Sequence, residues 1–244
     1  KIVHKNFRIG QGVTGICQSL HNEKLEWLSD CYEALRQFDK EWSKKQGWPE
    51  SIKLTTVKPS GTLSLLAGAT PGVHPAYSQY YIRRVRMSSQ DALVETCKTT
   101  GYHVEFVKNF DGTLNRDTVI VEFPCEAGKN AKLAKEMSAV DQLELVKKIQ
   151  QKWSDNAVSC TVYYRKEELG EIKEWLRENY KNNIKSVSFL LHSDHGFAQA
   201  PYEEVTKEDY KKLCSSIKRV TAVSVGNGQT IEGLECDGGA CPVK

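Results

Sequence analysis

The sequence predicts an α/β protein with a largely parallel sheet. From Thr118 onward, segments of strand period alternate with segments of helical period in the order β-α-β-α-β-α. Within that run, 118–123 and 187–191 are predominantly apolar, as expected of strands covered on both faces. A third observation sets a boundary. Beyond residue 220 no period is sustained, and the stretch holds Gly226, Gly228, Gly233, Gly238 and Gly239. A packed body over 1–220 and a flexible tail over 221–244 are therefore expected.

The elements follow in order. Leu25, Leu28, Tyr32, Leu35 and Trp42 recur at helical spacing and predict an amphipathic helix over 23–41, stopped by Gly47 and Pro49. The β-branched alternation of 51–57 predicts a strand, 58–62 a turn, and 63–67 the start of a short buried helix. The 71–75 segment is an irregular loop, and 80–86 is extended and basic. Strands at 102–107 and 118–123, separated by Asn109-Phe-Asp-Gly112, read as a hairpin. Asp141, with Glu144 at the capping-box position, predicts the start of a helix whose inner stripe is Leu143, Val146, Ile149 and Trp153. There follow a strand at 157–164 and a helix with Leu169, Ile172, Trp175 and Leu176 on one face. A strand at 187–192 and a helix after Thr206 with Tyr210, Leu213, Cys214 and Ile217 inward complete the body.

Composition narrows the classes. A chain of 244 residues can bury a core without disulfide staples. A net charge of +3, from 34 basic and 31 acidic residues, is too balanced for a nucleic-acid surface. No stretch approaches the roughly 20 apolar residues that span a bilayer, so no membrane association is expected. Eight cysteines with no apolar leader fit a reducing compartment, here the cytoplasm. Cys17, Cys31, Cys97, Cys125, Cys160 and Cys214 lie mostly in apolar contexts and read as small buried hydrophobes. The first residue is Lys rather than Met, so a processed chain or a piece of a longer one is expected.

Two motifs carry chemistry. Pro59, Ser60, Gly61, Thr62, Leu63 and Ser64 form a glycine- and hydroxyl-rich turn between a strand and a helix. Such a turn offers unpaired backbone N–H groups at the positive end of a helix dipole and can bind phosphate without a charged side chain. It lacks the Gly-Lys-Ser/Thr of a Walker loop, and an ordinary turn with a hydroxyl cap has the same composition. The second motif is Cys236 and Cys241 in the tail, with Gly238 and Gly239 between them. Four intervening residues fit neither a thioredoxin-like nor a zinc-knuckle pair, but the glycines let the sulfurs meet. An exposed dithiol is reactive, which points to thiol exchange; two incidental cysteines are the alternative. His74, in a proline-flanked loop, reads as a loop hydrogen-bonding group or a ligand contact. His192 and His195 follow a buried strand, where α/β sites gather, but lack a third ligand at metal spacing; no metal site is assigned.

Six segments together resemble a known family. They are Lys58-Pro-Ser-Gly-Thr-Leu-Ser-Leu-Leu, Pro71-Gly-Val-His-Pro, Tyr80-Tyr-Ile-Arg-Arg-Val-Arg, Trp153-Ser-Asp-Asn-Ala-Val-Ser-Cys-Thr-Val, Gln199-Ala-Pro-Tyr-Glu-Glu-Val-Thr and the closing Cys236-Asp-Gly-Gly-Ala-Cys-Pro-Val-Lys. In this order they resemble the C-terminal part of the adenosylcobalamin-dependent, monomeric (class II) ribonucleoside-triphosphate reductases, over essentially the whole chain. The resemblance implies the second half of a ten-stranded α/β barrel plus a redox tail. It implies a ribonucleoside triphosphate held by residues 59–64, adenosylcobalamin as radical initiator, and thioredoxin as the electron donor for Cys236 and Cys241. It also implies cysteine thiyl-radical abstraction of the ribose 3′ hydrogen, with loss of the 2′ hydroxyl as water. The family's radical cysteine lies in an Asn-Pro-Cys-Gly-Glu-type loop, and no such segment occurs here. Cys17, in Gly15-Ile-Cys-Gln18, does not match it. The resemblance thus implies a piece that is inactive alone, with the radical cysteine and the deoxynucleotide effector region upstream. Tyr80 and Tyr81, ahead of Arg83 and Arg84, read as packing residues rather than a radical relay. Two other readings stay open: a phosphate- or nucleotide-binding module with an incidental tail, and a zinc-binding interaction module.

Overall fold

A computed structural model of the chain describes residues 5–19, 25–61, 63–109, 111–192 and 199–218. Thr62, His195, Cys236, Cys241 and the whole 221–244 tail lie outside them. The described residues divide into two compact units. The first comprises residues up to 82, 125–198 and 202–207; the second comprises 83–124, 199–201 and the residues from 208.

The first unit is built from two parallel strand–helix–strand elements. Strand β1 (Arg8–Gly12) pairs in parallel with β2 (Lys53–Thr56). Between them run a one-turn helix α1 (Ile16–Ser19) and the long helix α2 (Glu26–Gln46). Strand β6 (Thr161–Tyr164) pairs in parallel with β7 (Ser188–Leu191), with helix α6 (Leu169–Asn179) between. A parallel bridge from Val57 to Val158 joins the two pairs. Both pairs are parallel, in keeping with the parallel pairing expected for strands 51–57, 157–164 and 187–192, although β1 was not expected and the two pairs are separate two-stranded sheets. The core of the unit is sealed by α2, α6 and helix α5 (Ala139–Lys152): Leu25, Leu28, Leu143, Val146, Ile149, Trp153, Ile172 and Trp175 are buried against Val57, Val158 and Val162.

Helix α2 ends as its sequence requires. Gly47 adopts a left-handed φ of 68°, and its N–H closes on the Ser43 and Lys44 carbonyls. Trp42, expected inward, is 44% exposed, because at that turn the adjacent Ser43, 4% exposed, takes the inward position. Helix α5 starts one turn before the expected cap. Ser138 accepts from the Asp141 amide at 3.0 Å, and Asp141 accepts back from the Ser138 amide at 3.2 Å, so Asp141 is the second half of the capping box rather than the cap. The burial of Ala139 against the core pulls the helix back to that point.

The second unit holds most of strands β3 (Tyr80–Ser88) and β5 (Leu114–Glu126), and all of β4 (Val104–Lys108) and helix α4 (Ala92–Thr99). With β8 (Tyr202–Glu204) these strands form a sheet of order β4-β5-β3-β8. β4 and β5 are the expected hairpin and pair antiparallel. The apolar run at 118–123, taken above as a sign of parallel pairing, is therefore corrected. Val119, Ile120 and Val121 are all buried, so both faces are covered, but in an antiparallel ladder. Helix α7 (Lys207–Ser216) has no buried residue; Tyr210, Leu213 and Ile217 are half-buried on the expected side, whereas Cys214, expected with them, is exposed. Strand β1, helix α4 and strand β8 have no counterpart in the sequence reading.

Candidate phosphate-binding site

The site hangs from β2, whose carboxyl end is locked by the segment beginning at Trp153. Asp155 sits at the centre. Its carboxylate accepts from the Leu54 amide at 2.9 Å, the Tyr32 hydroxyl at 2.9 Å and the Arg36 guanidinium at 3.2 Å. Burial raises the pKa of Asp155, and these donors, with Lys53, outweigh it and hold the carboxyl below its ordinary value. The fully buried Thr55 hydroxyl accepts from the Asp155 amide at 2.9 Å and donates to the Trp153 carbonyl at 2.5 Å. Trp153 Nε1 donates to the Thr56 carbonyl at 3.1 Å, and Asn156 donates to the Thr55 carbonyl from both backbone and side chain. With the Ser159 amide donating to the Val57 carbonyl at 3.0 Å, every residue from Leu54 to Val57 is tied to the 153–159 segment.

The chain then leaves the sheet and its backbone donors become free. Ser60 takes a left-handed φ of 56°, a conformation that costs a non-glycine residue about 1 kcal/mol. The Ser64 amide donates to the Ser60 carbonyl at 3.1 Å, and the buried Ser64 hydroxyl donates to the same oxygen at 2.5 Å. Helix α3 (Leu63–Leu66) begins on that closure. Among the described residues, the amides of Ser60, Gly61 and Leu63 have no acceptor within the chain. Ser60 and Gly61 are half-buried and Leu63 is 65% exposed, so the group faces an accessible surface. The consecutive amides of Ser60 and Gly61 at a left-handed residue have the pattern from which concave anion-binding nests are built. Of the residues expected to grip phosphate, Ser60, Gly61 and Leu63 offer amides, Pro59 has no N–H to offer, and Ser64 is engaged through both its amide and its hydroxyl on the Ser60 carbonyl; Thr62 lies outside the described residues.

Beneath the turn lies the loop 68–74. Gly72 has φ +54°, and a Cβ there would stand 2.4 Å from the Lys58 carbonyl oxygen. Glycine is required on both counts. His74 is buried. Its Nδ1 lies 2.9 Å from the Pro71 carbonyl, and its Nε2 accepts from the Thr161 amide at 3.0 Å. That pair of contacts requires the neutral ring with its proton on Nδ1. Burial pushes the His74 pKa down, with the Pro71 carbonyl opposing it. Of the two roles open in the sequence, His74 fills the loop hydrogen-bonding one, tying the loop to β6.

The remaining candidates separate. Cys17 and Cys160 are buried thiols, each pushed up to about 12 by burial, with Lys132 partly offsetting this at Cys17; neither is a nucleophile in this form. His192 stacks on Tyr77 at 6.0 Å between ring centroids, and Tyr77 stacks on Tyr202 at 5.6 Å, an aromatic group beyond the ends of β6 and β7. Tyr81 is buried and packs on Tyr202, in keeping with its reading as a packing residue. In the second unit His103, Glu105 and Glu122 bring three donor atoms within 4.8 Å. Glu122 is held by Arg84 at 2.7 Å and Glu105 by Gln199 at 2.7 Å, so both carboxylates already have partners.

Sequence reading missed the clasp around the loop, formed by Thr14 and Gln18, and the hub role of Asp155. Asp155 lay inside a recognised motif but 101 residues from the amide it satisfies. No local pattern marks either.

Residues 32–190 match the family model described as the ribonucleotide reductase barrel domain. An adenosylcobalamin-dependent ribonucleoside-triphosphate reductase of Euglena gracilis is 38% identical over 99% of this chain, covering 34% of that protein. The corresponding reductase of Lactobacillus acidophilus is 34% identical over the full chain and 37% of its own length. Among solved structures, a B12-dependent (class II) ribonucleotide reductase superposes with a TM-score of 0.70 at 32% identity, covering 88% of this chain and 34% of that one. The chain spans about a third of the length of the curated relatives it matches.

Proposed function

The chain belongs to the ribonucleotide reductase barrel family, and from that premise we propose that it serves as the phosphate-gripping and electron-delivering part of an adenosylcobalamin-dependent ribonucleoside-triphosphate reductase. The observation that carries this is the group of amides at Ser60, Gly61 and Leu63 that have no acceptor among the described residues, set on the family's barrel scaffold. An anion bound there is held by backbone dipoles, so the grip is indifferent to the base and specific for the phosphates. In the complete reaction a cysteine thiyl takes the ribose 3′ hydrogen, the 2′ hydroxyl leaves as water, two thiols are oxidised to a disulfide as they supply the electrons, and the same cysteine returns the hydrogen to C3′. Cys236 and Cys241 then reduce that disulfide by exchange and are themselves restored by thioredoxin.

Adenosylcobalamin, when bound, supplies radical initiation. The cavity of about 530 Å³ between α1 and α5 does not fit it. That volume suits a drug-sized ligand, and the lining carries Lys132, Glu136, Asp141, Glu144 and Lys148 where a corrin would present a broad apolar face. No residue of this chain is assigned to the cofactor. The radical cysteine, the deoxynucleotide effector and a monomeric whole enzyme belong to the same proposal, as does a cytoplasmic setting. Among the described residues no helix is long and apolar enough to cross a membrane.

The test is reconstitution with the remaining part of a relative's barrel. Cobalamin-dependent reduction of a nucleoside triphosphate is expected. With Cys236→Ser and Cys241→Ser together, turnover on thioredoxin stops after about one cycle while a small dithiol still sustains it. A double variant indistinguishable from wild type on thioredoxin would favour a phosphate-binding module with an incidental tail.

A further inference from the structure

The position of the 58–64 turn is set from a distance. Gly72 underlies it so closely that its missing Cβ defines the separation from Lys58. Gly72 is in turn held by a clasp from the segment after β1. The Thr14 hydroxyl accepts from the Gly72 amide at 2.9 Å and donates to the Thr70 carbonyl at 3.0 Å. The Gly15 amide donates to that same carbonyl at 2.8 Å. The Gln18 side chain closes the other end: Oε1 accepts from the Thr70 amide at 3.0 Å, and Nε2 donates to the Gly68 carbonyl at 3.2 Å. Gln18 is itself wedged, since a Cβ on Gly128 would meet its Nε2 at 2.2 Å. One hydroxyl and one carboxamide thus satisfy both backbone groups of Thr70, the amide of Gly72 and the carbonyl of Gly68.

We propose that Thr14 and Gln18 are positioning residues for phosphate binding: through Gly68, Thr70 and Gly72 they fix the height and orientation of the 58–64 turn without touching the ligand. The proposal deepens the phosphate reading above and rests on it. The chemistry is specific to these side chains. Thr14 must offer acceptor and donor at once, which a hydroxyl does and a methyl does not. Gln18 must offer an acceptor to one peptide and a donor to the next, which a carboxamide does and a carboxylate does not. Removing either leaves a loop amide without its partner and lets Gly72 move away from Lys58.

The test compares Thr14→Val, Thr14→Ser and Gln18→Leu in the 244-residue chain. Two readouts are used: affinity for inorganic tripolyphosphate by calorimetry, and hydrogen exchange of the 58–66 segment. Thr14→Val and Gln18→Leu should bind tripolyphosphate about tenfold more weakly, the scale of one hydrogen bond acting through position. Exchange in 58–66 should speed up while that of α5 stays unchanged, and Thr14→Ser should restore both. If Thr14→Val leaves exchange and affinity at wild-type values, the positioning proposal is overturned and the phosphate reading stands. If wild type binds no tripolyphosphate while Thr14→Val still speeds exchange in the turn, the phosphate reading falls and the mechanical linkage stands. Should Thr14→Val unfold the chain, Gln18→Leu and Thr14→Ser supply the same comparison.

Discussion

The two ends of one short stretch of chain are built to opposite rules. From Leu54 to Val57 the backbone is satisfied several times over, by Asp155, Asn156, Ser159 and Trp153. From Ser60 to Leu63 the described amides are left without acceptors, although a handful of residues separates the two regions. A buried peptide group must find a partner, whereas an exposed one can wait for a ligand. On the phosphate reading proposed above, the first region is an anchor and the second a receptor. The sheet invests its hydrogen bonds in the anchor so that the receptor can keep its own free.

The largest expected effect breaks the anchor. Asp155→Ala removes the acceptor of the Leu54 amide, Tyr32 and Arg36 together, and should cost about 3 kcal/mol in urea unfolding. Molecules that remain folded should keep most of their tripolyphosphate affinity. Gly72→Ala attacks the join between the regions. A left-handed φ and a 2.4 Å approach to the Lys58 carbonyl should cost about 2 kcal/mol in stability, and tripolyphosphate binding should fall in parallel. Acidification strikes the loop beneath the turn before it reaches the anchor. His74 is held neutral with its pKa below 6.5, so the unfolded chain takes up the proton before the folded one. Stability should therefore be flat above pH 6.5 and fall as the pH drops below it. A second loss should come only below 3.8, as Asp155 is protonated. His74→Gln should flatten the first step of a thermal-melting series taken across that range.

Smaller changes separate side chain from backbone in the receptor. Ser64→Ala loses the 2.5 Å bond to the Ser60 carbonyl. It should cost about 1 kcal/mol and loosen the turn, seen as faster exchange at 60–64. Thr70→Val should change stability by no more than about 0.5 kcal/mol. The Thr70 hydroxyl is buried without a partner among the described atoms, while its amide and carbonyl carry the clasp. A large loss from Thr70→Val would show that the clasp works through the side chain, contrary to the geometry.

What the sequence revealed divides along the same line. The stop at Gly47, the β4–β5 hairpin, the stripe of α5 and the glycine–hydroxyl turn are written in residues a few positions apart, and period and turn chemistry expose them. Strand β1 has two glycines and is exposed along its whole length, so it carries no apolar alternation to detect. The apolar run of β5 misleads as a sign of a parallel sheet because a run buried on both faces is the same in either sense; the turn at 109–112 is the feature that marks its antiparallel pairing with β4. The Thr14–Gly72 bond spans 58 positions. Its donors and acceptors are common polar residues until folding brings them together. The nest was legible as composition, but its free amides became visible only once the closure at Ser60 and Ser64 was in place.

The contrast between anchor and receptor is tested most directly by following backbone amide resonances as tripolyphosphate is added to the wild-type chain. The account predicts saturable shifts at Ser60, Gly61 and Leu63, with Leu54, Asp155 and Asn156 unmoved. Saturable binding that shifts the amides around Asp155 while leaving 60–64 unchanged, or no binding at all, would contradict it.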